Sequence, residues 1–252
     1  MTHAYRIFDT HTHLGRARHS GRAYTADEML RDMDRHGIER SLAIPFPVVE
    51  DWRAEHAAIG KAVREHPDRI GGAACLPPYE AAEPVFREEV RRCREEYGFC
   101  ALKLQPQYHG LNPFLSRNDF FFETALENKM ALVCHTGSGL PFSLPSLLMM
   151  PAKRFPDLNI VVAHCGGGIF VHEAMLAAIF CPNIFLELSS LMPHQVLEVL
   201  TEVPADRLMI GSDLPENLST ETGKILTLEI PEQAKRQILY GTACHLFLGA
   251  CD

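Results

Sequence analysis

Eight short apolar runs recur along the chain, and this repeat limits the possible folds more than any other feature. The runs begin near Arg6, Ser41, Ile70, Ala101, Ala131, Ile160, Ile184 and Arg207. Their starts lie 23 to 35 residues apart. The runs are continuously apolar rather than alternating, which is typical of β-strands that are buried on both faces.

Most intervals between these runs carry helical patterns. Thr25 followed by Glu28 forms a capping box, which opens a helix that ends near His36, just before Gly37. Further helices are predicted over residues 53–66, 81–97, 118–129, 144–155, 170–180, 194–202, 219–229 and 231–248.

Strands and helices that alternate with this period predict parallel βαβ units. Eight such units favour an α/β fold of the closed (β/α)8 TIM-barrel type, as a single domain over residues 1–252. A doubly wound open sheet is the alternative, but it normally has a glycine-rich phosphate loop after the first strand. Here the first strand ends in His-Thr-His.

Charge and composition narrow the expected location and partners. The formal net charge of -8 argues against nonspecific binding to nucleic acid or to an anionic membrane. The chain has no apolar leader after Met1, and no apolar run approaches the ~18 residues of a membrane span. The eight cysteines form no C-x-x-C pair, so we expect reduced, mostly buried thiols. We therefore predict a cytoplasmic protein that acts on small molecules.

Five of the runs end in side chains that can bind a metal or carry a proton. These side chains are His11 and His13, Lys103, His135, His164, and Asp213. Because the carboxyl ends of barrel strands meet at one face, we expect these groups to converge on a single site. His11 and His13 are two residues apart on an extended segment, so both project to the same side.

Imidazoles combined with a carboxylate suit one borderline divalent transition metal ion. Zn²⁺ is the first expectation, with Mn²⁺, Fe²⁺ and Co²⁺ as alternatives. Such an ion would lower the pKa of a bound water toward ~7, and a nearby carboxylate or imidazole could take its proton. The glycines that follow His135 and His164 permit tight turns and close approach to a ligand.

The ordered motifs resemble those of the amidohydrolase superfamily, and within it the branch called amidohydrolase 2. The resemblance covers nearly the whole chain, from the Phe8–His13 segment to the closing Tyr240–Ala243 segment. It implies a TIM barrel, a small-molecule substrate and, in most members of this branch, a single metal ion. It also implies a homodimer.

The resemblance also implies roles for individual residues. His11, His13 and His135 are implied as metal ligands, and Asp213 as a ligand that also handles the proton. His164 is implied as a further ligand, or as the imidazole that orients water and polarises the substrate. Lys103 either carries a carboxylate that bridges two metals or, as is more usual in this branch, faces the substrate.

The loops after the strands are expected to choose the substrate. Arg16 and Arg18 lie in a basic stretch after the first strand, where they could hold a substrate carboxylate. His109 follows the fourth strand and is expected to line the pocket. Gln105 replaces the usual His of the branch's Lys-Leu-His-Pro pattern, which leaves the role of that position open.

These features predict a hydrolase that uses a metal-activated water to cleave an amide, lactone or ester bond. Asp213 would carry the proton, while His164 and Lys103 would stabilise the oxyanion. Nonoxidative decarboxylation of an aromatic or unsaturated acid, or hydration, is the alternative on the same site. Decarboxylases of the branch tend to be longer, which favours hydrolysis. A barrel that only binds ligands is a third possibility, and the presence of all five motif positions argues against it.

Overall fold

Nine strands form one sheet in the computed structural model, which describes residues 5–79 and 82–249. Eight of them are parallel neighbours and coincide with the eight apolar runs. They are β1 (Phe8–Arg16), β3 (Arg40–Pro45), β4 (Ile70–Ala74), β5 (Ala101–Leu104), β6 (Ala131–His135), β7 (Ile160–Ala163), β8 (Ile184–Glu187) and β9 (Leu208–Met209). The ninth strand, β2 (Ala23–Tyr24), pairs antiparallel with the end of β1 and was not predicted.

Backbone hydrogen bonds between β1 and the segment after β9 close the sheet. Thr10 N donates to Ile210 O at 3.0 Å, and Asp213 N donates to His11 O at 2.6 Å. A parallel bridge pairs Thr12 with Asp213. The predicted (β/α)8 barrel is therefore confirmed, and its closure brings the first and last strand ends together.

Helices fill the intervals between the strands, close to the predicted bounds. They are α1 (Ala26–His36), α2 (Trp52–Glu65), α3 (Glu83–Tyr97), α4 (Pro106–His109), α5 (Asp119–Glu127), α6 (Met149–Arg154), α7 (Val171–Phe180), α8 (Pro193–Glu202), α9 (Leu218–Thr227), α10 (Glu232–Arg236) and α11 (Thr242–Leu248). The predicted start of the third helix at residue 81 lies outside the described residues. The short α4 was not predicted. The predicted last helix contains a π-helical turn over Gln237–Gly241.

The capping box at the first helix forms as predicted. The Thr25 backbone N–H donates to Glu28 Oε2 at 2.8 Å, and Glu28 N donates to Thr25 Oγ1 at 3.3 Å. Gly37 then ends α1 in the left-handed conformation, with φ of 68°.

Two apolar clusters explain why the strands are apolar on both faces. One cluster lies between the sheet and the helices, and Ile160 and Val162 of β7 belong to it. The other cluster includes Val161 of the same strand, together with Phe8 and Phe247. The rings of Phe8 and Phe247 are 6.0 Å apart, so α11 packs against the start of β1.

The cysteines mostly agree with the expectation of reduced thiols. Six of them, at positions 75, 93, 100, 134, 165 and 181, are free, and all but Cys100 are buried. Cys244 differs, because it is disulfide-bonded. In the described part of the chain, no helix combines the length and apolar character that membrane crossing requires.

Candidate metal centre

Four of the predicted residues bring their polar atoms close together at the carboxyl ends of the strands. The Nε2 atoms of His11 and His13 lie 3.6 Å and 3.4 Å from Asp213 Oδ1. His164 follows β7, and its ring centroid is 4.8 Å from that of His11. Ligand atoms of His11, His164 and Asp213 all lie within 4.8 Å of one another.

These separations fit a bound divalent ion. In a tetrahedral site with metal–ligand bonds of ~2.1 Å, neighbouring ligand atoms are about 3.4 Å apart. The distances from Asp213 Oδ1 to the two imidazoles of β1 match this value. The residues present can therefore hold such an ion without rearrangement of the strands.

Hydrogen bonds fix which nitrogen of His13 and of His11 is available. His13 Nδ1 lies 3.0 Å from Pro45 O, and a carbonyl oxygen can only accept, so Nδ1 carries the hydrogen. His11 Nδ1 lies 3.3 Å from Glu187 Oε2, where the same reasoning holds. In the neutral rings the Nε2 lone pairs therefore face Asp213. His11 Nε2 can accept from Lys103 Nζ at 3.0 Å, whereas His13 Nε2 and Asp213 Oδ1 meet as two acceptors unless a cation lies between them.

His164 is oriented in the same way through a serine. Ser189 Oγ donates its hydrogen to Glu187 Oε2 at 2.9 Å. His164 Nδ1, at 2.7 Å from Ser189 Oγ, must then donate to that oxygen. The Nε2 lone pair of His164 is consequently left for a ligand, as in His11 and His13.

Glu187, which was not among the predicted site residues, organises this arrangement. It is fully buried at the end of β8 and also accepts from the backbone N–H groups of His164 and Ser189, at 3.0 Å and 2.6 Å. The sequence does contain a signal for Glu187, since its carboxylate lies inside the apolar run Ile184–Leu188. A buried charge requires partners, so such a residue is a candidate for a role in the site.

Asp9 has a similar role where β1 meets the segment after β9. It was also not among the predicted site residues. Its carboxyl accepts from Ser212 N at 2.8 Å, Ser212 Oγ at 2.7 Å and His11 N at 3.2 Å. Burial raises the pKa of Asp9 to about 7, although these hydrogen bonds oppose the shift. The group ties β1 to the segment that carries Asp213.

Unusual backbone conformations concentrate around the same residues. His164 and Asp213 have φ of 65° and 64°, and every residue from His164 to Gly168 has positive φ. L-residues rarely adopt this region, so the surrounding contacts must hold it. A Cβ on Gly137 would lie 2.9 Å from the backbone of Gly167, which explains why glycines follow both His135 and His164.

Burial keeps the imidazoles of His11 and His164 neutral, which is the form that binds a metal. It holds the pKa of His11 and of His164 well below the ordinary value. For Asp213, burial acts to raise the pKa, but the surrounding imidazoles of His13, His164 and His11 hold it well below its usual range. Burial also lowers the pKa of Lys103, whose Nζ is 3.0 Å from His11 Nε2.

His135 lies on the rim of the cluster. Its Nε2 is 2.8 Å from Ser138 O, so Nε2 carries the hydrogen and the lone pair of Nδ1 is left free for a ligand. Its ring centroid is 4.8 Å from that of His164. Burial and then Lys103 lower the pKa of His135 to about 4.

A cavity of about 240 Å³ opens over the cluster, with His13, His135 and Asp213 in its lining. The His13 ring stacks on Phe46 with a centroid distance of 5.2 Å. A neighbouring cavity of about 350 Å³ shares some of the wall and adds Trp52. The shared wall consists of Phe46, Pro47 and Tyr108.

The three predicted substrate residues take different positions. Arg18 lines the neighbouring cavity and pairs with Glu50 at 3.5 Å. Arg16 is exposed and is absent from the lining of both cavities. His109 is buried beneath the pocket, where burial and then Lys103 lower its pKa to about 3. Arg22, from the same basic stretch, lines the cavity over the cluster and was missed.

A second group of possible ligands, formed by His56, Glu89 and Cys93, is already saturated. His56 Nδ1 is 2.8 Å from Glu89 Oε1, and His56 Nε2 accepts from Cys75 N at 2.9 Å. Arg92 donates to Glu89 Oε1 at 2.7 Å. Both imidazole nitrogens are therefore used, and the group serves to join α2, α3 and the end of β4.

A barrel that gathers imidazoles and a carboxylate at the carboxyl ends of its strands has the architecture of a barrel metalloenzyme. The sequence profile of the amidohydrolase family, in its second branch, matches residues 8–248. The chain belongs to this amidohydrolase family, and the predicted resemblance is confirmed.

Solved structures of similar fold cover nearly the whole chain. A dihydroxybenzoic acid decarboxylase from Polaromonas, with bound manganese and the inhibitor 2-nitroresorcinol, has a TM-score of 0.76 at 17% identity, covering 98% of each chain. A 4-oxalomesaconate hydratase from Rhodopseudomonas palustris has a TM-score of 0.69 at 18% identity, covering 96% of this chain and 95% of the other.

An uncharacterised TIM-barrel protein from Bordetella bronchiseptica has a TM-score of 0.77 at 20% identity, covering 96% of this chain and 98% of the other. No protein of curated function matches the chain. At identities this low, the structural similarity establishes the shared fold but does not determine the reaction.

Proposed function

We propose that this chain is a metal-dependent enzyme that holds one divalent transition metal ion with His11, His13, His164 and Asp213. The observation that carries the proposal is the convergence of imidazole Nε2 lone pairs on one carboxylate oxygen, with each Nδ1 hydrogen committed elsewhere. His135, through Nδ1, is the further ligand that the family resemblance supplies. When bound, the ion would supply Lewis-acid chemistry and lower the pKa of a water.

The donor atoms indicate which class of metal ion the site would bind. Imidazole nitrogen and carboxylate oxygen suit Zn²⁺, and they also suit Mn²⁺, Fe²⁺ and Co²⁺. The manganese of the Polaromonas decarboxylase supports Mn²⁺ as an equal candidate beside Zn²⁺. We therefore propose one ion of this class in each chain.

The proposed reaction is hydrolysis of an amide, lactone or ester bond in a small carboxylated molecule. Asp213 would accept a proton from the attacking water and pass it to the leaving group, because its carboxylate is held ionised beside the cavity. Lys103 would stabilise negative charge that develops on the carbonyl oxygen. His164 would act as a ligand, because its Nδ1 hydrogen is donated to Ser189 and none is left for the substrate.

Decarboxylation is the second candidate, and one observation favours it. The match to the Polaromonas decarboxylase spans 98% of that chain, so length no longer separates this protein from decarboxylases. In this reaction the bond between the ring or vinyl carbon and the carboxylate carbon breaks, carbon dioxide leaves, and a proton bonds to the remaining carbon. Asp213, which is held ionised, would first take up a proton from water and then deliver it to that carbon.

Arg22 is proposed as the main anchor for the substrate carboxylate. It lines the cavity over the cluster, and its partner Glu216 lies on the exposed surface, where ion pairs exchange readily. A carboxylated substrate would replace Glu216 with a bidentate contact. Arg18 would then serve the neighbouring cavity, whose Trp52 side adds an apolar wall.

The test is an activity screen with and without added metal. Protein prepared free of chelator would be assayed with Zn²⁺ or Mn²⁺ against lactones, amides and esters, and against hydroxybenzoic and unsaturated acids. We expect metal-dependent turnover of one class, with released acid indicating hydrolysis and released carbon dioxide indicating decarboxylation. Turnover that is unchanged when metal is removed would contradict the proposal.

A further inference from the structure

The loop after β8, residues 188–192, contains both a residue that orients His164 and a strained backbone position. Ser189 in this loop is bonded to His164 and to Glu187. The next residue, Ser190, has a φ of 65°, a left-handed conformation that residues other than glycine rarely adopt. Contacts from outside the loop are therefore needed to hold this conformation.

Two side chains of α9 supply contacts of this kind. Lys224 Nζ donates to Leu188 O at 2.7 Å and to Leu191 O at 3.0 Å. Glu221 Oε1 accepts from Ser190 N at 3.0 Å. The two side chains thus bind the backbone of the loop at three of its positions, including the strained one.

Glu221 and Lys224 also form an ion pair with each other. Both residues are buried, with 7% and 8% of their surface exposed. An ammonium group has three hydrogens, and that of Lys224 has three acceptors in Glu221 and the two carbonyls. Apolar side chains of similar size can often replace such a pair without loss of stability, so stability alone does not require charges here.

The same loop contacts the left-handed turn that begins at His164, and it does so at both ends of the turn. At the first end, Ser189 Oγ accepts from His164 Nδ1 at 2.7 Å. At the other end, a Cβ on Gly168 would lie 3.7 Å from Ser190 O. Gln195, in α8, donates to Gly168 O at 2.9 Å. A displacement of the loop would therefore move the turn that carries His164.

We propose that Glu221 and Lys224 are positioning residues of the proposed metal centre. They hold the loop after β8 so that Ser189 stays against His164, which keeps the Nε2 lone pair of that imidazole directed into the site. Because α9 follows the segment that carries Asp213, the pair also connects this loop to the end of β9. This role rests on the metal centre proposed above.

The affinity for Zn²⁺, measured by competition with a chromophoric chelator, tests this role. Lys224→Met removes the bonds to both carbonyls and keeps a long, unbranched side chain. We expect the affinity to fall by about 10-fold, the lower end of the ~10–100-fold range for groups that orient metal ligands. The double variant Glu221→Gln with Lys224→Met should show the same loss. It leaves no unpaired buried carboxylate, so it replaces the single variant if that protein does not fold.

Arg207→Met is the matched control, because Arg207 binds backbone carbonyls at the opposite end of β8. Its guanidinium donates to Ala178 O at 2.7 Å, to Cys181 O at 2.8 Å and, through Nε, to Ile184 O at 3.1 Å. Ile184 begins β8, whereas the proposed metal centre lies at the carboxyl ends of the strands. We expect Arg207→Met to lower the melting temperature and to leave the affinity for Zn²⁺ unchanged.

A Ser189→Ala background separates positioning from a general loosening of the protein. If Lys224 acts on His164 through Ser189, the effects of the two substitutions are not additive. We expect Ser189→Ala alone to weaken Zn²⁺ binding. In that background, Lys224→Met should weaken it by less than about twofold more.

Each outcome of these measurements decides one of the two proposals. Equal Zn²⁺ affinity in the wild type and in the folded Lys224 variants would overturn the positioning role and leave the metal centre in place. A loss of about 10-fold that persists in the Ser189→Ala background, or an equal loss in Arg207→Met, would overturn the role as well. Wild-type protein that binds neither Zn²⁺ nor Mn²⁺ would overturn the metal centre itself, and this role with it.

Discussion

The proposed metal centre and the mouth of the pocket above it are held in place by opposite means. In the centre, Asp9 and Glu187 are buried, and each accepts at least three hydrogen bonds. At the mouth, Arg22 and Arg18 form ion pairs with exposed partners. Buried, satisfied networks fix geometry, whereas exposed ion pairs typically contribute little stability. Chemistry should therefore depend on the centre, and substrate choice on the mouth.

The largest effect is expected at Asp213. Asp213→Asn keeps the size of the side chain but removes the ionised carboxylate that would handle the proton. We expect kcat to fall by about 10³-fold, in line with the ~10²–10⁴ typical of a general acid or base, with an unchanged melting temperature. Asp206→Asn, at an exposed position, is the control and should keep full activity. A kcat within tenfold of wild type in Asp213→Asn would refute the assigned role.

The next effect concerns stability at low pH and arises from His109. Its pKa in the folded protein is about 3, lowered by burial and by Lys103 from an ordinary value of 6.5. The unfolded chain therefore binds a proton below pH 6.5 that the folded chain rejects, so the wild-type protein loses stability as pH falls through this range. Removing this penalty is worth about 3 kcal/mol at pH 4.

His109→Gln should reveal that contribution in urea unfolding at pH 7 and pH 4. The variant is expected to be less stable than wild type at pH 7, because packing beside Phe121 is lost. The difference should shrink or reverse at pH 4. His19→Gln, at the exposed mouth, should show no such trend. A difference that stays constant with pH would contradict the buried neutral state of His109.

A smaller effect is expected when the support of the imidazoles is weakened. Glu187→Gln keeps the shape but replaces one acceptor oxygen with a donor, which opposes the Nδ1 hydrogen of His11 and the backbone N–H groups. We expect metal affinity to fall by about 10- to 100-fold, measured by competition with a chromophoric chelator. Glu202→Gln on α8 is the exposed control. Equal affinities in wild type and Glu187→Gln would exclude this positioning role.

The smallest effect is expected at the mouth. Arg22→Ala should raise KM for a carboxylated substrate by about tenfold, the value of one charge-assisted contact, while kcat changes little. Arg16→Ala should leave both constants unchanged, because this exposed side chain lies away from both cavities. If Arg16→Ala raised KM and Arg22→Ala did not, the sequence-based assignment of Arg16 would be restored.

The sequence predicted most of the barrel because strands buried on both faces leave a strong local signal. The eight runs and the residues at their ends needed only neighbours in the chain to be recognised. Asp9 and Ser212 were beyond such reasoning, since they are 203 residues apart and meet only when the barrel closes. Arg22 was missed for a related reason: the hairpin between β1 and β2 decides which arginine of the basic stretch turns toward the pocket.

Anomalous diffraction from crystals grown with Mn²⁺, recorded at the manganese absorption edge, tests the central claim most directly. We predict one peak in each chain, bonded to Asp213 Oδ1, to the Nε2 atoms of His11, His13 and His164, and to Nδ1 of His135, at about 2.1–2.2 Å. A peak at His56 and Glu89 instead, or no peak at the strand ends, would contradict the metal centre proposed for this protein.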